Sequence, residues 1–160
     1  FIPAYYQEVG MIVKQARELG MNMPIIGVDG WDSPRLAEIA GAEALNNTYF
    51  CNHYSPEDKD PRIQKFVADY KKIYNQAPDA LAALGYDAGL MLVDALKRAN
   101  STDPKAIRDA LEKTKDLQVV TGKLSLDAKH NPVKGVVIIE MKNGLQTFLK
   151  LATLAQHQLY

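Results

Sequence analysis

The chain has 160 residues, of which 47% are hydrophobic and 24% are charged, a balance typical of a folded globular domain. Its 19 basic and 19 acidic residues cancel, which disfavours binding to nucleic acid or to an anionic membrane surface. Its single cysteine excludes an internal disulfide, and its three histidines lack partners at metal-ligand spacing. A glycine-rich phosphate loop is also missing. We therefore expect no metal site, no cofactor and no nucleic-acid partner.

The first fifty residues alternate between apolar strands and amphipathic helices. Residues 1–3 have the character of a strand end, so we expect the chain to begin inside a larger fold. Residues 9–19 carry apolar side chains at helical spacing, and residues 25–28 form the short apolar run typical of a buried parallel strand. A Ser-Pro pair predicts a short helix over 33–41, and 47–50 predicts another strand. This alternation indicates a parallel α/β sheet.

A polar loop over 52–60 breaks that rhythm. The helical spacing of apolar residues over 61–74 predicts another amphipathic helix, which a proline follows. Segment 81–99 is apolar on almost all sides and rich in alanine and glycine. We expect it to be a slim, deeply buried helix whose second face needs a partner, either a missing N-terminal half or a second copy of the chain.

The last third of the chain predicts one helix and several strands. Asp103-Pro104 is a helix start. Apolar runs over 122–126, 136–141 and 145–151 predict strands. Asn143-Gly144 lies between the last two runs, and this dipeptide is a strong signal for a tight β-hairpin.

Candidate ligand-binding residues lie where strands end. Asp29 follows an apolar run and is flanked by glycines one and two residues away, and Tyr5-Tyr6 stand before the first helix. Small ligands bind outside the carboxyl ends of strands in open α/β sheets, and a carboxylate beside aromatic faces suits an ammonium group. Neighbouring strand residues point to opposite faces, so one tyrosine packs inside, and we favour Tyr6 for the ligand. Trp31 either covers the pocket or shields the loop, and Asp29 could instead cap a helix.

A catalytic interpretation has less support. Ser33, Asp32 and His53 are the residue types of a nucleophilic triad, yet Ser33 precedes a proline and no Gly-x-Ser-x-Gly elbow surrounds it. His53 and His130 are interpreted as loop residues. We therefore expect that the chain is not an enzyme.

Five segments resemble, in order, the leucine/isoleucine/valine-binding proteins, the type I periplasmic-binding-protein-like substrate receptors of ABC transporters. The segments are 3–10, 15–20, 27–30, 83–88 and 121–124. The resemblance runs from residue 1 to about residue 149 and covers the C-terminal part of such a receptor. It implies an α/β fragment of a two-lobed fold, with an open parallel sheet and helices on both faces.

The break in the βα rhythm over 52–60 and the hairpin signal near the end of the chain predict a domain division, and the resemblance implies that its parts belong to the lobes of such a receptor. Residues 1–77 would form βα units of the ligand-binding lobe, and 78–118 helices of the other lobe or the hinge region. Residues 119–151 would be returning strands and a hairpin. Residues 152–160 depart from the family as an atypical tail.

By position, the resemblance implies that Tyr5 or Tyr6 lines the pocket and that Asp29 pairs with the ligand's α-ammonium. Tyr86 would lie at the hinge side of the cleft, although a buried tyrosine of the core is the alternative there. The implied function is non-catalytic, extracytoplasmic capture of a small amino acid, aliphatic or branched-chain first, for delivery to an ABC transporter permease. Such receptors are periplasmic or anchored outside the membrane as lipoproteins. A ligand-binding domain of a sensor is the alternative, and a hydrolase is third.

Overall fold

The computed structural model describes residues 1–153, which form two compact units. The first unit comprises Phe1–Lys59 and Val136–Ala152, and the second runs from Asp60 to Gly135 and includes Thr153. The predicted segments 1–77 and 119–151 therefore each contribute to both units. Most of the tail predicted over 152–160 lies outside the described residues.

The helices and strands follow one another from Tyr6 to Ala152. In chain order they are α1 (Tyr6–Glu18), β1 (Ile25–Gly27), a 3-10 turn (Asp29–Trp31), α2 (Arg35–Ala40), β2 (Thr48–Asn52), α3 (Pro61–Tyr74), α4 (Ala80–Ala99), α5 (Pro104–Glu112), β3 (Leu117–Val119), β4 (Gly122–Leu126), β5 (Pro132–Val133), β6 (Val136–Lys142) and β7 (Leu145–Ala152). None of the helices in this part of the chain has the length and apolar character needed to cross a membrane.

The first unit is built on a four-stranded sheet in the order β1-β2-β6-β7. β1 and β2 run parallel, with Gly27 opposite Phe50, and Ile2 adds a parallel bridge to Gly27. β6 and β7 are antiparallel to their neighbours, so the sheet is mixed where an open parallel one was expected. The hairpin that returns the chain into the sheet is the cause. The predicted α/β class is confirmed.

The hairpin between β6 and β7 turns at the predicted dipeptide. Asn143 and Gly144 both have positive φ, 51° and 79°, as a tight two-residue hairpin requires. The backbone N–H of Asn143 also donates to Asn46 Oδ1 at 2.8 Å, which ties the turn to the loop before β2. A Cβ added to Gly144 would stand 2.9 Å from Ala42 Cβ, so glycine is needed there for space as well as for conformation.

The core of the first unit lies between the sheet and helices α1 and α2. Its fully buried members include Val9 and Val13 from the predicted apolar stripe of α1. Trp31 is the largest of them, and its ring stands 6.0 Å from that of Phe50. The ring lies so close to the sheet that a Cβ on Gly27 would be 2.0 Å from Trp31 Cε2. Glycine is therefore the residue that allows the tryptophan to pack there.

The second unit combines helices α3, α4 and α5 with the antiparallel sheet β3-β4-β5. Each of its helices begins at an aspartate whose carboxylate accepts a hydrogen bond from a backbone N–H of the first turn: Asp60, Asp79 and Asp103. The Arg62 side chain and backbone hydrogen bonds to Asp60 lower the pKa of that carboxyl from 3.8 to about 2. The predicted helix starts at Pro61 and Pro104 agree with these bounds.

Helix α4 is not deeply buried, and the expectation that it would be is wrong for the described residues. Its buried members are Ala80, Ala83, Asp87 and Ala95. Leu81, Leu92 and Val93 are 77%, 45% and 48% exposed. Within its own unit α4 packs against α5 and β3, so one side of an almost wholly apolar helix remains uncovered. The expectation that this side needs a partner stays a prediction.

One buried carboxylate joins two of the segments that carried the family resemblance. Asp87 of α4 accepts hydrogen bonds from the backbone amides of Val120 and Thr121, at 2.7 and 3.0 Å. Lys134 Nζ donates to Thr121 Oγ1 at 2.7 Å, and burial lowers the pKa of this lysine. The carboxylate thus fixes the turn between β3 and β4.

Candidate functional site

The candidate site of the first unit lies where the parallel strands β1 and β2 end. Asp29 is the second residue after β1, and His53 is the first residue after β2. Because parallel neighbours end at the same edge of a sheet, the two side chains meet there. A 3-10 turn, closed by the hydrogen bond from Trp31 N to Val28 O, holds Asp29 at this edge.

The Asp29 carboxylate is accessible, and one of its two oxygens has a hydrogen-bond partner among the described residues. Its Oδ2 lies 3.0 Å from His53 Nε2, while no described residue donates a hydrogen bond to its Oδ1. The side chain is 55% exposed. It caps none of the described helices, which was the alternative interpretation. The site therefore offers a free carboxylate oxygen to a cation.

Sequence reasoning treated His53 as a loop residue and missed this pairing. The backbone N–H of His53 donates to Oδ1 of the buried Asn52 at 2.7 Å, which fixes the residue at the strand end. Its ring is mostly buried, and Nδ1 is buried without a partner among the described residues. The signal that could have found it is its position three residues after the strand predicted over 47–50, which neighbours the strand that precedes Asp29.

The two tyrosines take different roles in the described structure. Tyr6 packs against the core, and the Arg35 guanidinium lies 6.0 Å from the centre of its ring. Tyr5 is 71% exposed. A Cβ on Gly30 would be 3.1 Å from Tyr5 Cδ1, so the missing side chain at Gly30 lets Tyr5 lie beside the turn that carries Asp29. Tyr5 and Asp29 are thus neighbours at one edge.

Trp31 lies beneath this edge, and its side chain is not exposed there. Its side chain is fully buried, and its indole N–H donates to the carbonyl of Ile2 at 3.1 Å. Its ring packs on the sheet and supports the turn that presents Asp29.

Tyr86, the remaining predicted site residue, belongs to the second unit and is 52% exposed. Its ring centre is 5.1 Å from that of Phe66, and Phe66 in turn lies 5.9 Å from Tyr70. These aromatic side chains of α3 and α4 line a groove of about 730 Å³. Tyr86 is therefore a partly exposed aromatic residue and not a member of a sealed core.

A second hollow, of about 790 Å³, borders the C-terminal end of α1 and contains none of the predicted site residues. Arg17 lies in it, and the guanidinium donates to the carbonyls of Ala44, Met23 and Asn46. These bonds tie α1 to the loop before β2, so Arg17 has a structural role.

The residues of the hypothetical triad have other partners. His53 pairs with Asp29, Asp32 accepts from Gln146 Nε2 at 2.9 Å, and Ser33 Oγ accepts from the backbone N–H of Arg35. Across residues 1–153, no group of three or more His, Cys, Asp or Glu side chains is arranged to hold a metal ion.

An α/β unit that presents a free carboxylate and an aromatic ring at the ends of parallel strands has the features of a small-molecule binding site. Residues 5–146 match the family described as periplasmic binding proteins, and the chain belongs to that family.

Three relatives show which members of this family the chain resembles. The Leu/Ile/Val-binding protein homolog 1 of Brucella suis is 32% identical over 143 residues, covering 87% of this chain and 37% of the relative. The crystal structure of a leucine-binding protein from Thermotoga maritima has a TM-score of 0.88 and 38% identity, covering 97% of this chain and 44% of that one. The resemblance to the leucine/isoleucine/valine-binding proteins is thus confirmed.

The third relative is the substrate-binding protein of a branched-chain amino acid transporter from Streptococcus pneumoniae, solved in complex with isoleucine. It has a TM-score of 0.81 and 36% identity, covering 95% of this chain and 43% of that one. All three relatives are named for binding and not for catalysis. The chain spans less than half the length of each.

Proposed function

We propose that this chain forms part of the ligand cleft of a receptor that captures a branched-chain amino acid without chemical change and delivers it to an ABC importer. The observation that carries the proposal is the accessible Asp29 carboxylate with its unoccupied Oδ1 at the ends of β1 and β2. The names of the relatives, which specify leucine, isoleucine and valine, support the ligand class.

Asp29 is the partner of the ligand's α-ammonium in this proposal. A carboxylate and an ammonium form a charge-assisted hydrogen bond, which strengthens as water is excluded from around it. Tyr5 lies beside the same turn and offers its ring face to the ammonium or its ring edge to the side chain. Tyr6 and Trp31 support the site from the core of the first unit.

The experiment is a thermal-shift screen of the twenty amino acids against the full-length protein. Leucine, isoleucine and valine are expected to raise the melting temperature, because a ligand that binds the folded state stabilises it by mass action. Aspartate, glutamate and lysine are expected to have no effect. A screen in which no aliphatic amino acid shifts the transition would overturn the proposal. Uptake of labelled leucine that depends on the receptor would separate a transport receptor from a sensor domain.

The transporter permease is the partner that the function requires, and the place of action is outside the cytoplasmic membrane. Family membership supports both assignments at the level of the class. In such receptors ligand binding closes two lobes around the site, and the closed form is the one that a permease would recognise.

A second partner covers the outer face of α4. This face consists of seven residues, none of them charged: Leu81, Gly85, Tyr86, Ala88, Gly89, Leu92 and Val93. Apolar surface of this extent marks a contact region. The relatives are more than twice as long as the matched segment. This length supports the part of the receptor that the match leaves out as the proposed occupant.

Leu92→Lys tests this occupant. In the full-length protein the substitution is expected to destabilise, because it places a charge in a buried contact. The matched control is Leu19→Lys, which alters a leucine that is 81% exposed on the first unit. If both variants have the stability of the wild type, the face is not covered by the rest of the receptor. If the 160-residue chain forms stable dimers that Leu92→Lys abolishes, a second copy becomes the occupant.

A further inference from the structure

His53 differs from an ordinary loop histidine because its two ring nitrogens have opposite surroundings. Nε2 lies 3.0 Å from Asp29 Oδ2 at the edge of the site. Nδ1 is buried, and no described residue forms a hydrogen bond with it. Among the described residues, therefore, only the Nε2 side of the ring has a hydrogen-bond partner.

The contact with Asp29 selects the form that carries a proton on Nε2, because a carboxylate accepts and cannot donate. In that form the Nε2–H group donates to Asp29 Oδ2 and holds one oxygen of the carboxylate.

The backbone around His53 is fixed as well. Its N–H is bound to Oδ1 of Asn52, which is 3% exposed and terminates β2. β2 in turn pairs in register with β1, from which Asp29 extends. The imidazole therefore reaches Asp29 from a rigid strand end, while the Asp29 carboxylate is 55% exposed and would otherwise rotate freely.

We propose that His53 is a positioning residue for ligand binding: its Nε2–H holds Asp29 Oδ2, so that Oδ1 is directed at the ligand's ammonium. This inference rests on the proposed function. Holding the carboxylate before the ligand arrives removes the entropic cost of ordering that side chain on binding. The expected contribution is about 3- to 10-fold in leucine affinity.

Calorimetry of leucine binding to the full-length protein tests the proposal with three variants. His53→Leu removes the donor and is expected to weaken binding about 3- to 10-fold. His53→Gln retains an N–H donor and is expected to stay within about 2-fold of the wild type. The control is His130→Asn, which breaks the exposed contact between His130 and Glu112 in the second unit, 3.2 Å in length. Asparagine suits the positive φ of 63° at this position.

Two further measurements separate positioning from a loss of folding. Nitrogen-15 spectra of the ligand-free wild type are expected to show the His53 proton on Nε2. In the Asp29→Asn background, His53→Leu is expected to have no further effect on leucine affinity, because no carboxylate remains to be held. A proton on Nδ1, or additive losses in the double variant, would overturn the positioning role.

The outcomes also separate this inference from the proposed function. If Asp29→Asn weakens leucine binding and His53→Leu does not, the function stands and the role of His53 is wrong. If His53→Gln or His130→Asn weakens binding as much as His53→Leu, the donated hydrogen bond is not the cause, and the role is again wrong. If the wild type binds leucine and Asp29→Asn binds it equally well, Asp29 is not the ammonium partner, and the positioning role of His53 is wrong as well.

Discussion

Gly27→Ala is expected to damage both the stability of the first unit and its ligand site. The added methyl carbon would stand 2.0 Å from Trp31 Cε2, 2.3 Å from Nε1 and 2.4 Å from Cζ2. Non-bonded carbons rest about 3.5–4.0 Å apart, so the ring must move by about 1.5 Å or more. The ring is fully buried, so its movement must displace other core side chains.

The cost of that movement has two parts. Overpacking a core costs about 1–3 kcal/mol. Displacing the indole also breaks its hydrogen bond to the Ile2 carbonyl and leaves a buried polar group unpaired, which costs about 1–3 kcal/mol more. We therefore expect the free energy of unfolding to fall by about 2–6 kcal/mol. Leucine affinity is expected to fall too, because Trp31 belongs to the turn that carries Asp29.

Urea unfolding of the full-length protein, followed by circular dichroism, measures this change as a lower midpoint. The matched control is Ile26→Val on the same strand, whose side chain is 52% exposed and whose substitution is expected to cost less than about 1 kcal/mol. If Gly27→Ala were as stable as the control and bound leucine normally, the packing of Trp31 across Gly27 would be refuted.

Three further predictions concern stability, each measured by urea unfolding. Asp87→Ala leaves two backbone amides without acceptors and is expected to cost about 2–5 kcal/mol, whereas a loss below about 1 kcal/mol would argue against the buried contact. Gly144→Ala is expected to cost about 1–3 kcal/mol, through its positive φ and the close approach of Ala42; a neutral result would contradict the turn geometry. Asp60 has a folded pKa of about 2, below its ordinary 3.8, so its contribution is present above about pH 4 and is lost as the pH falls towards 2. The midpoint difference between wild type and Asp60→Asn should therefore shrink between pH 5 and pH 2.5, and a constant difference would be evidence against the Arg62 contact.

Local patterns in the sequence predicted the elements of this fold well. The stripe over 9–19 became α1, and the one over 61–74 became α3, because an amphipathic helix needs only its own spacing to be recognised. Asn143-Gly144 predicted the hairpin because two successive positive φ angles strongly favour those residue types. The position of Asp29 at a strand end was predicted from a local pattern too, the apolar run that precedes it.

Features that depend on how elements pack could not be predicted from the same patterns. The contact between His53 and Asp29 spans 24 residues and requires that β1 and β2 be parallel neighbours. The burial of Trp31 depends on a glycine four residues earlier that leaves room for its ring. The exposure of α4 depends on which surfaces are available to cover it, and helix composition carries no information about that.

Calorimetry of leucine binding to the full-length protein, wild type against Asp29→Asn, tests the central claim most directly. Asparagine keeps the shape of the side chain and removes the charge that would attract the ammonium. The expected loss is about 1.5–3 kcal/mol, or about 10- to 150-fold in Kd. N-acetyl-leucine, which lacks the ammonium, should bind weakly and equally to both proteins. If Asp29→Asn bound leucine as tightly as the wild type, or weakened both ligands equally, Asp29 would not be the ammonium partner and the proposed site would be wrong.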